Sequence, residues 1–206
     1  TQREKRPITL FKDEELVARA QNDDPRATEE LIGRYQQKAY AIAYHMCFGD
    51  SEAAQDLTQE AFLRAFRNIK KFKRRSSFYT WLYRIVVNTC IDGIRRLRRR
   101  ERIFSSWGSV EDGEESSKEA IERQPDMAEA SDPMNVLSGK QLTQKAREVL
   151  MSVSEKQRVV FQLKVLQEMS IPEIAQIMKM AEGTVKSHLF RATRVLREAL
   201  KDWAEP

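Results

Sequence analysis

The chain has 206 residues, of which 41% are hydrophobic and 33% charged, with only 7 Gly and 6 Pro and a net charge of +5. This fits one or two helix-rich compact units and excludes broad disorder. Two cysteines far apart, with no CxxC and no Cys/His cluster, exclude a disulfide framework or a zinc site of ordinary spacing. There is no run of about 18 apolar residues, and Thr1 to Pro7 carry no apolar stretch, so the expectation is a cytoplasmic protein without a signal peptide or membrane insertion of its own.

From Asp13 to Met46 the apolar residues Leu16, Val17, Ala20, Ala27, Leu31, Tyr35, Ala39, Ile42 and Met46 recur at steps of three and four, which predicts two helices broken near Asn22 to Pro25. Asp50 and Ser51 follow Gly49 as candidate N-caps of a third helix. Its stripe is Ala54, Leu57, Ala61 and Ala65, leaving Asp56, Gln59, Glu60 and Leu63 off the apolar face.

A basic loop from Lys70 to Ser77 leads into a long predicted helix. One face carries Phe78, Leu82, Val86, Cys90, Ile94 and Leu97, another Thr80, Arg84, Asn88, Asp92 and Arg99. Between Arg64 and Arg102 there are 14 Lys or Arg against two acids, whereas Val110 to Pro133 holds nine acids against two bases. Charges of opposite sign are segregated by segment, as in a protein with a dedicated polyanion-binding region. We therefore expect a first domain over 1–103, a flexible acidic linker over 104–134 and a second domain over 135–206.

In the second domain the pattern resumes with a helix to about Val153. Ser154 with Gln157, and Ser170 with Glu173, then match the reciprocal capping box and open two more helices. A last helix is expected from near Thr184 to about Trp203. With no strand signal anywhere, the predicted fold is all-α.

The stretch from Ser170 to Leu200 has the grammar of a helix-turn-helix: a short amphipathic helix, a turn holding Gly183, and a longer basic helix. In that last helix Val185, Leu189, Ala192, Leu196 and Leu200 face inward, while Lys186, Ser187, Phe190, Arg191 and Arg194 face outward, where a recognition helix meets base edges. Lys and Arg donate to guanine and Phe190 meets a thymine methyl. An aromatic set among exposed cations is better explained by an interface than by a solvated face.

The first domain interleaves Phe72, Phe78, Tyr79, Trp81 and Tyr83 with Lys73, Arg74, Arg75 and Arg84. Cations that track phosphates beside aromatic faces that stack on unpaired bases are the means of holding a single strand, although each of these aromatics taken alone also suits a core.

The blocks DLTQEAFLRAF, FYTWLYRIVVNTCIDGIRRLRRR and EIAQIM with GTVKSHLFRA resemble those of extracytoplasmic-function sigma factors of the sigma-70 family, most nearly the sigma E type. The resemblance implies two helical domains, called regions 2 and 4, and a subunit without catalysis or cofactor. It would bind core RNA polymerase through the β′ clamp helices and the β subunit, bind promoter DNA, and be held by an anti-sigma factor. It assigns polymerase docking to Asp56, Gln59 and Glu60, joined by Arg64. It assigns −10 recognition to Lys73, Arg74, Arg75, Ser76 and Ser77 with Arg84 and Asn88, and −35 recognition to Lys186, Ser187, Phe190 and Arg191. His188 holds a further basic position, and Arg194 is expected on phosphate. Two departures stand out: Arg74 and Arg75 replace a Gly-Asp pair common in sigma E relatives, and Ala181 stands where a capping Ser is common.

Two other readings are weaker. A polymerase-independent repressor would also use the helix-turn-helix but would leave the first domain without a task. A nuclease could place a metal between Asp56 and Glu60, four residues apart on one helix, yet no third ligand accompanies them, and the two Cys and two His have no triad spacing.

Overall fold

The computed structural model describes residues 10–107 and 133–201, with side chains over 10–100 and 141–201 except Thr143. All described regular structure is helical and falls in two compact units, Thr1–Glu114 and Glu115–Pro206.

The first unit contains α1 (Asp13–Gln21), α2 (Pro25–Met46), α3 (Ser51–Arg67), a 3₁₀ turn (Ile69–Lys71) and α4 (Phe78–Trp107). Three acids open α1 and Arg19 closes it, matching the helix dipole. Asp24 then caps α2 by accepting from the amides of Arg26 and Ala27, with Pro25 at the first helical position. Arg19 Nε lies 2.7 Å from Asp24 Oδ2, and this hydrogen bond is the main cause holding the Asp24 carboxyl below its ordinary range. Gly49, at φ 90°, makes the turn into α3 that a residue with a Cβ resists, and Asp50 caps that helix on the Ala53 amide at 2.9 Å.

The core of this unit joins Leu16 and Val17 of α1, Leu31 and Ile42 of α2, Ala54, Ala61 and Ala65 of α3, and Leu82 and Val86 of α4. The small side chains on α3 let the helices approach closely. At Gly93 of α4 an added Cβ would overlap Leu57 Cδ2, so the Leu57 side chain rests directly against the α4 backbone and would have to shift to admit an Ala there.

Two expectations for α4 are corrected. Thr80, assigned to the polar face, is buried, because its hydroxyl pairs with Ser77 Oγ at 2.9 Å and no longer needs water. Leu97, assigned to the apolar face, is 43% exposed, because it lines an open groove with Ala53, Leu57 and Gly93 instead of packing beneath another helix. The helix also runs on past Ile103 to Trp107, since the Arg- and Glu-rich stretch before it consists of strong helix formers. The expected acidic linker beyond that point lies outside the described residues, up to α5.

The second unit contains α5 (Pro133–Ser152), α6 (Glu155–Phe161), a π-helical segment (Gln162–Leu166), α7 (Ile171–Met178) and α8 (Glu182–Ala199). Both expected capping boxes form: the Ser154 amide donates to Gln157 Oε1 at 3.2 Å and the Ser170 amide to Glu173 Oε2 at 2.8 Å. Val160, Leu163, Met169, Ile174, Val185 and Ala192 make the core, joined by the polar Arg158 and Gln162. The turn between α7 and α8 differs from expectation. Gly183 lies inside the first turn of α8, which therefore starts before Thr184, and it is Lys179 that takes the left-handed conformation at φ 52°. This left-handed C-cap accompanies the bond from the Met180 amide to the Ala175 carbonyl, which closes α7. The described helix ends at Ala199, and Trp203 lies outside the described residues.

Candidate nucleic-acid interface

In the second unit α7, the turn and α8 hold the outer face of α8 free. Val185, Ala192 and Leu196 are buried on its inner side, with Leu189 and Leu200 half-buried. Helical geometry then sends Lys186, Ser187, Phe190, Arg191 and Arg194 outward, and all five are exposed. Phe190 is 66% exposed, with no aromatic partner among the described rings. His188 is half-buried between the two faces. Burial first, and the charges of Lys156 and Arg191 second, lower its pKa, so it is neutral at pH 7 and a weaker phosphate ligand than its cationic neighbours. Ala181 occupies the N-cap of α8 with no side-chain bond to offer, and the Thr184 amide turns to the Ala181 carbonyl at 2.9 Å.

In the first unit the loop between the 3₁₀ turn and α4 is an arch pinned by aromatics at both ends. Phe72 and Phe78 are buried, their centroids 6.0 Å apart edge to face, and Trp81 leans on them at 5.1 and 5.7 Å. Lys73, Arg74 and Arg75 are exposed and Ser76 half-buried. Arg74 is held at φ 54°, a conformation that favours glycine, and its Nη2 donates to the Glu14 carbonyl at 3.3 Å. Ser77 is committed to the start of α4, where its Oγ accepts from the Thr80 amide at 3.1 Å.

Of the five aromatics considered for stacking, Phe72, Phe78 and Tyr83 are core. Tyr79 is half-buried against Tyr83, with the Lys38 ammonium 5.3 Å from its ring centroid. Trp81 and Tyr79 are therefore the two of the five that keep a partly open face, and Trp81 lies in a row with half-buried Arg84 and exposed Asn88 at steps of three and four. Sequence reasoning left Trp81 between core and interface. Its register with Asn88 was the available signal.

On α3, Asp56 and Gln59 are exposed while Glu60 and Arg64 are half-buried. The Glu60 carboxylate takes Arg64 Nη2 at 2.5 Å and Arg96 Nη2 at 2.8 Å. Burial works to raise its pKa, but the Arg96 hydrogen bond and the two positive charges outweigh this and hold it below the ordinary value. Arg64 also reaches Thr89 Oγ1 at 3.5 Å and Asp92 at 3.7 Å. This network ties α3 to α4 and leaves Asp56 and Gln59 as the open polar groups of the ridge. On the far side of the ridge a groove of about 1270 Å³ between α2 and α3 is lined by Tyr40, Gln59, Phe62 and Leu63, and Tyr40 and Leu63 are 38% and 50% exposed.

With Glu60 held by two guanidinium groups, a metal between it and Asp56 would have to displace both cations. Among the described residues no cluster of three or more His, Cys, Asp or Glu has metal-binding geometry. Burial pushes the Cys47 thiol up to about 12 and Cys90 higher still, so both stay protonated and unreactive at neutral pH. No helix of the described residues is long and apolar enough to cross a membrane.

Comparison with known proteins gives a consistent picture. The Sigma-70 region 2 family matches residues 31–100, and the Sigma-70 region 4 family matches residues 143–196. The ECF RNA polymerase sigma-E factor of Escherichia coli is 35% identical over 195 residues, covering 94% of this chain and 95% of the relative. The RNA polymerase sigma-H factor of Pseudomonas aeruginosa is 30% identical over 194 residues, covering 94% and 96%. Among solved structures, CnrH in complex with the cytosolic domain of CnrY matches with a TM-score of 0.60 at 22% identity, over 94% of this chain and 99% of the other. The sigma factor RpoE in complex with the anti-sigma factor NepR from Bartonella quintana matches at 0.57 and 22%, over 84% and 96%.

Proposed function

The chain belongs to the sigma-70 family as an RNA polymerase sigma factor of the extracytoplasmic-function group, and from that premise we propose how its surfaces divide promoter recognition. The outer face of α8 reads duplex DNA at the −35 element. Lys186, Ser187, Phe190 and Arg191 reach base edges, Arg194 holds phosphate, and His188 backs the face. Loop residues Lys73 to Ser76 hold the non-template strand at the −10 element with Trp81, Arg84 and Asn88 beside them, while Ser77 fixes where the loop ends. A base drawn out of the stack costs a few kcal/mol, which a pocket built from loop and aromatic must return, and this is the chain's part in melting.

Asp56 and Gln59 dock on the β′ clamp helices of core polymerase. Glu60 and Arg64 act mainly by holding that ridge to α4, and region 4 supplies the contact to the β subunit. The protein works in the cytoplasm, catalyses no reaction of its own, and is held in check by an anti-sigma factor covering its polymerase-binding surfaces. The domain limits follow the same division, with region 2 ending near the close of α4 and region 4 opening at α5.

The observation that carries this reading is Phe190, 66% exposed in a ring of cations on the outer face of α8. Photocrosslinking in the holoenzyme tests it. A photoreactive residue at position 190 should capture −35 duplex, and one at position 76 the −10 non-template strand. Capture of the same DNA segment from both positions would break the assignment.

A further inference from the structure

The −10 loop is framed by a helix to which nothing so far assigns a task. Gln21, the last residue of α1, is half-buried, and its Nε2 lies 2.9 Å from the Ile69 carbonyl and 2.9 Å from the Phe72 carbonyl. These two carbonyls bracket the 3₁₀ turn from which the loop springs. A primary amide has two N–H donors, and here each meets one acceptor across a sequence separation of 48 and 51 residues. Only the NH₂ end of the side chain suits a pair of carbonyl oxygens, so its orientation is fixed by its partners. The same helix holds the loop further along, where Arg74, in its left-handed conformation, donates to the Glu14 carbonyl at 3.3 Å. Lys70 pairs with Asp23 at 2.6 Å just beyond α1, an exposed contact that adds little.

We propose that Gln21 is a positioning residue for −10 recognition: by clamping both ends of the Ile69–Lys71 turn, it sets the pose in which the loop presents Lys73 to Ser76 to a flipped base. The physical reason is tolerance. A pocket that discriminates bases must hold its groups within about 0.5 Å, and a loop attached only through its own backbone does not meet that requirement. Phe72 and Phe78 fix where the loop begins and ends, and the Gln21 amide fixes the direction in which it leaves. The inference rests on the reading that the loop contacts the −10 strand, and the test separates the two.

Holoenzymes carrying the wild-type chain, Gln21→Glu, Gln21→Lys, or the loop double variant Arg74→Gly with Arg75→Asp transcribe a library randomised at the −10 element. Gln21→Glu keeps the shape but turns an acceptor oxygen toward the two carbonyls. It should narrow the output ratio between best and worst base at the loop-read position about tenfold, the factor set by one or two net hydrogen bonds. Affinity for core polymerase and for −35 duplex should stay within about twofold, since neither surface is touched. Gln21→Lys retains N–H donors and should restore most of the discrimination. If Gln21→Glu does not fold, Gln21→Ala should give the same narrowing.

Uniformly lower output with an unchanged base profile overturns the proposal, as does a Lys variant that loses as much discrimination as Glu or Ala. If the loop double variant shifts the profile and the Gln21 variants do not, the positioning role falls and the loop reading stands. If none of them shifts it, both fall.

Discussion

Replacing Phe190 with Ala separates an interface residue from a chance exposure. A Phe side chain carries about 150–250 Å² of surface, so at 66% exposure roughly 100–165 Å² remains to be covered by a partner. At about 25 cal/mol/Å² that area sets a ceiling near ~2.5–4 kcal/mol. A thymine methyl with its neighbouring sugar covers only part of it, so the expected loss on DNA binding is about 1–3 kcal/mol, or 5- to 150-fold in affinity. The folded chain should lose almost nothing, within about 0.5 kcal/mol, because little of the ring is buried and Ala favours a helix. Fluorescence anisotropy of holoenzyme on −35 duplexes, paired with thermal unfolding of the chain, measures both quantities. A loss concentrated on one base pair with an unchanged Tm is the expected result. Unchanged affinity, or a destabilisation as large as the binding loss, would refute the reasoning.

The α3 ridge yields a graded pair. Asp56→Ala should weaken capture of core polymerase at constant stability, whereas Glu60→Gln should cost stability through the lost Arg64 and Arg96 pairs, by about 0.5–1 kcal/mol for partly exposed partners. Because the folded Glu60 carboxyl titrates below its unfolded value, its contribution is complete above that value and is lost as pH falls through the folded pKa. Acid unfolding should accordingly be shallower in Glu60→Gln, and equal acid profiles would count against the network. Ala181→Ser should give the Thr184 amide a hydroxyl acceptor and stabilise the second unit by about 1 kcal/mol, raising its Tm by roughly 4–8 °C in calorimetry. A Tm that stays level or falls would show that the α8 start already satisfies its donors.

What the sequence disclosed followed from periodicity. The stripes through Leu16, Leu31 and Leu82, the two capping boxes, and the split of α8 between Val185, Ala192 and Leu196 inside and Phe190 and Arg191 outside all depend on residues within a few turns of one another. What it hid depends on distant partners. Glu60 reads as an open carboxylate until Arg96, 36 residues away, is brought against it. Thr80 reads as polar surface until Ser77 satisfies it. The aromatic series leaves stacking platform and core both open, and packing decides it: Phe72, Phe78 and Tyr83 are drawn inside while Trp81 and Tyr79 keep an open edge. The helix-turn-helix pattern points to Gly183 for the interhelical turn, whereas the backbone places its left-handed residue at Lys179. The two arginines at 74 and 75 also differ in the backbone: Arg74 alone of the pair is held in the left-handed conformation that glycine adopts freely.

The account's central claim is that this chain confers promoter specificity on RNA polymerase. The measurement that tests it most directly is transcription from a library of genomic promoters by purified core polymerase, with and without the chain. The account predicts a set of transcripts that depends on the chain, starts downstream of a shared −35 and −10 pair, and disappears with Phe190→Ala or Asp56→Ala. Identical transcripts with and without the chain would contradict it, as would strong promoter occupancy by the chain in the absence of polymerase.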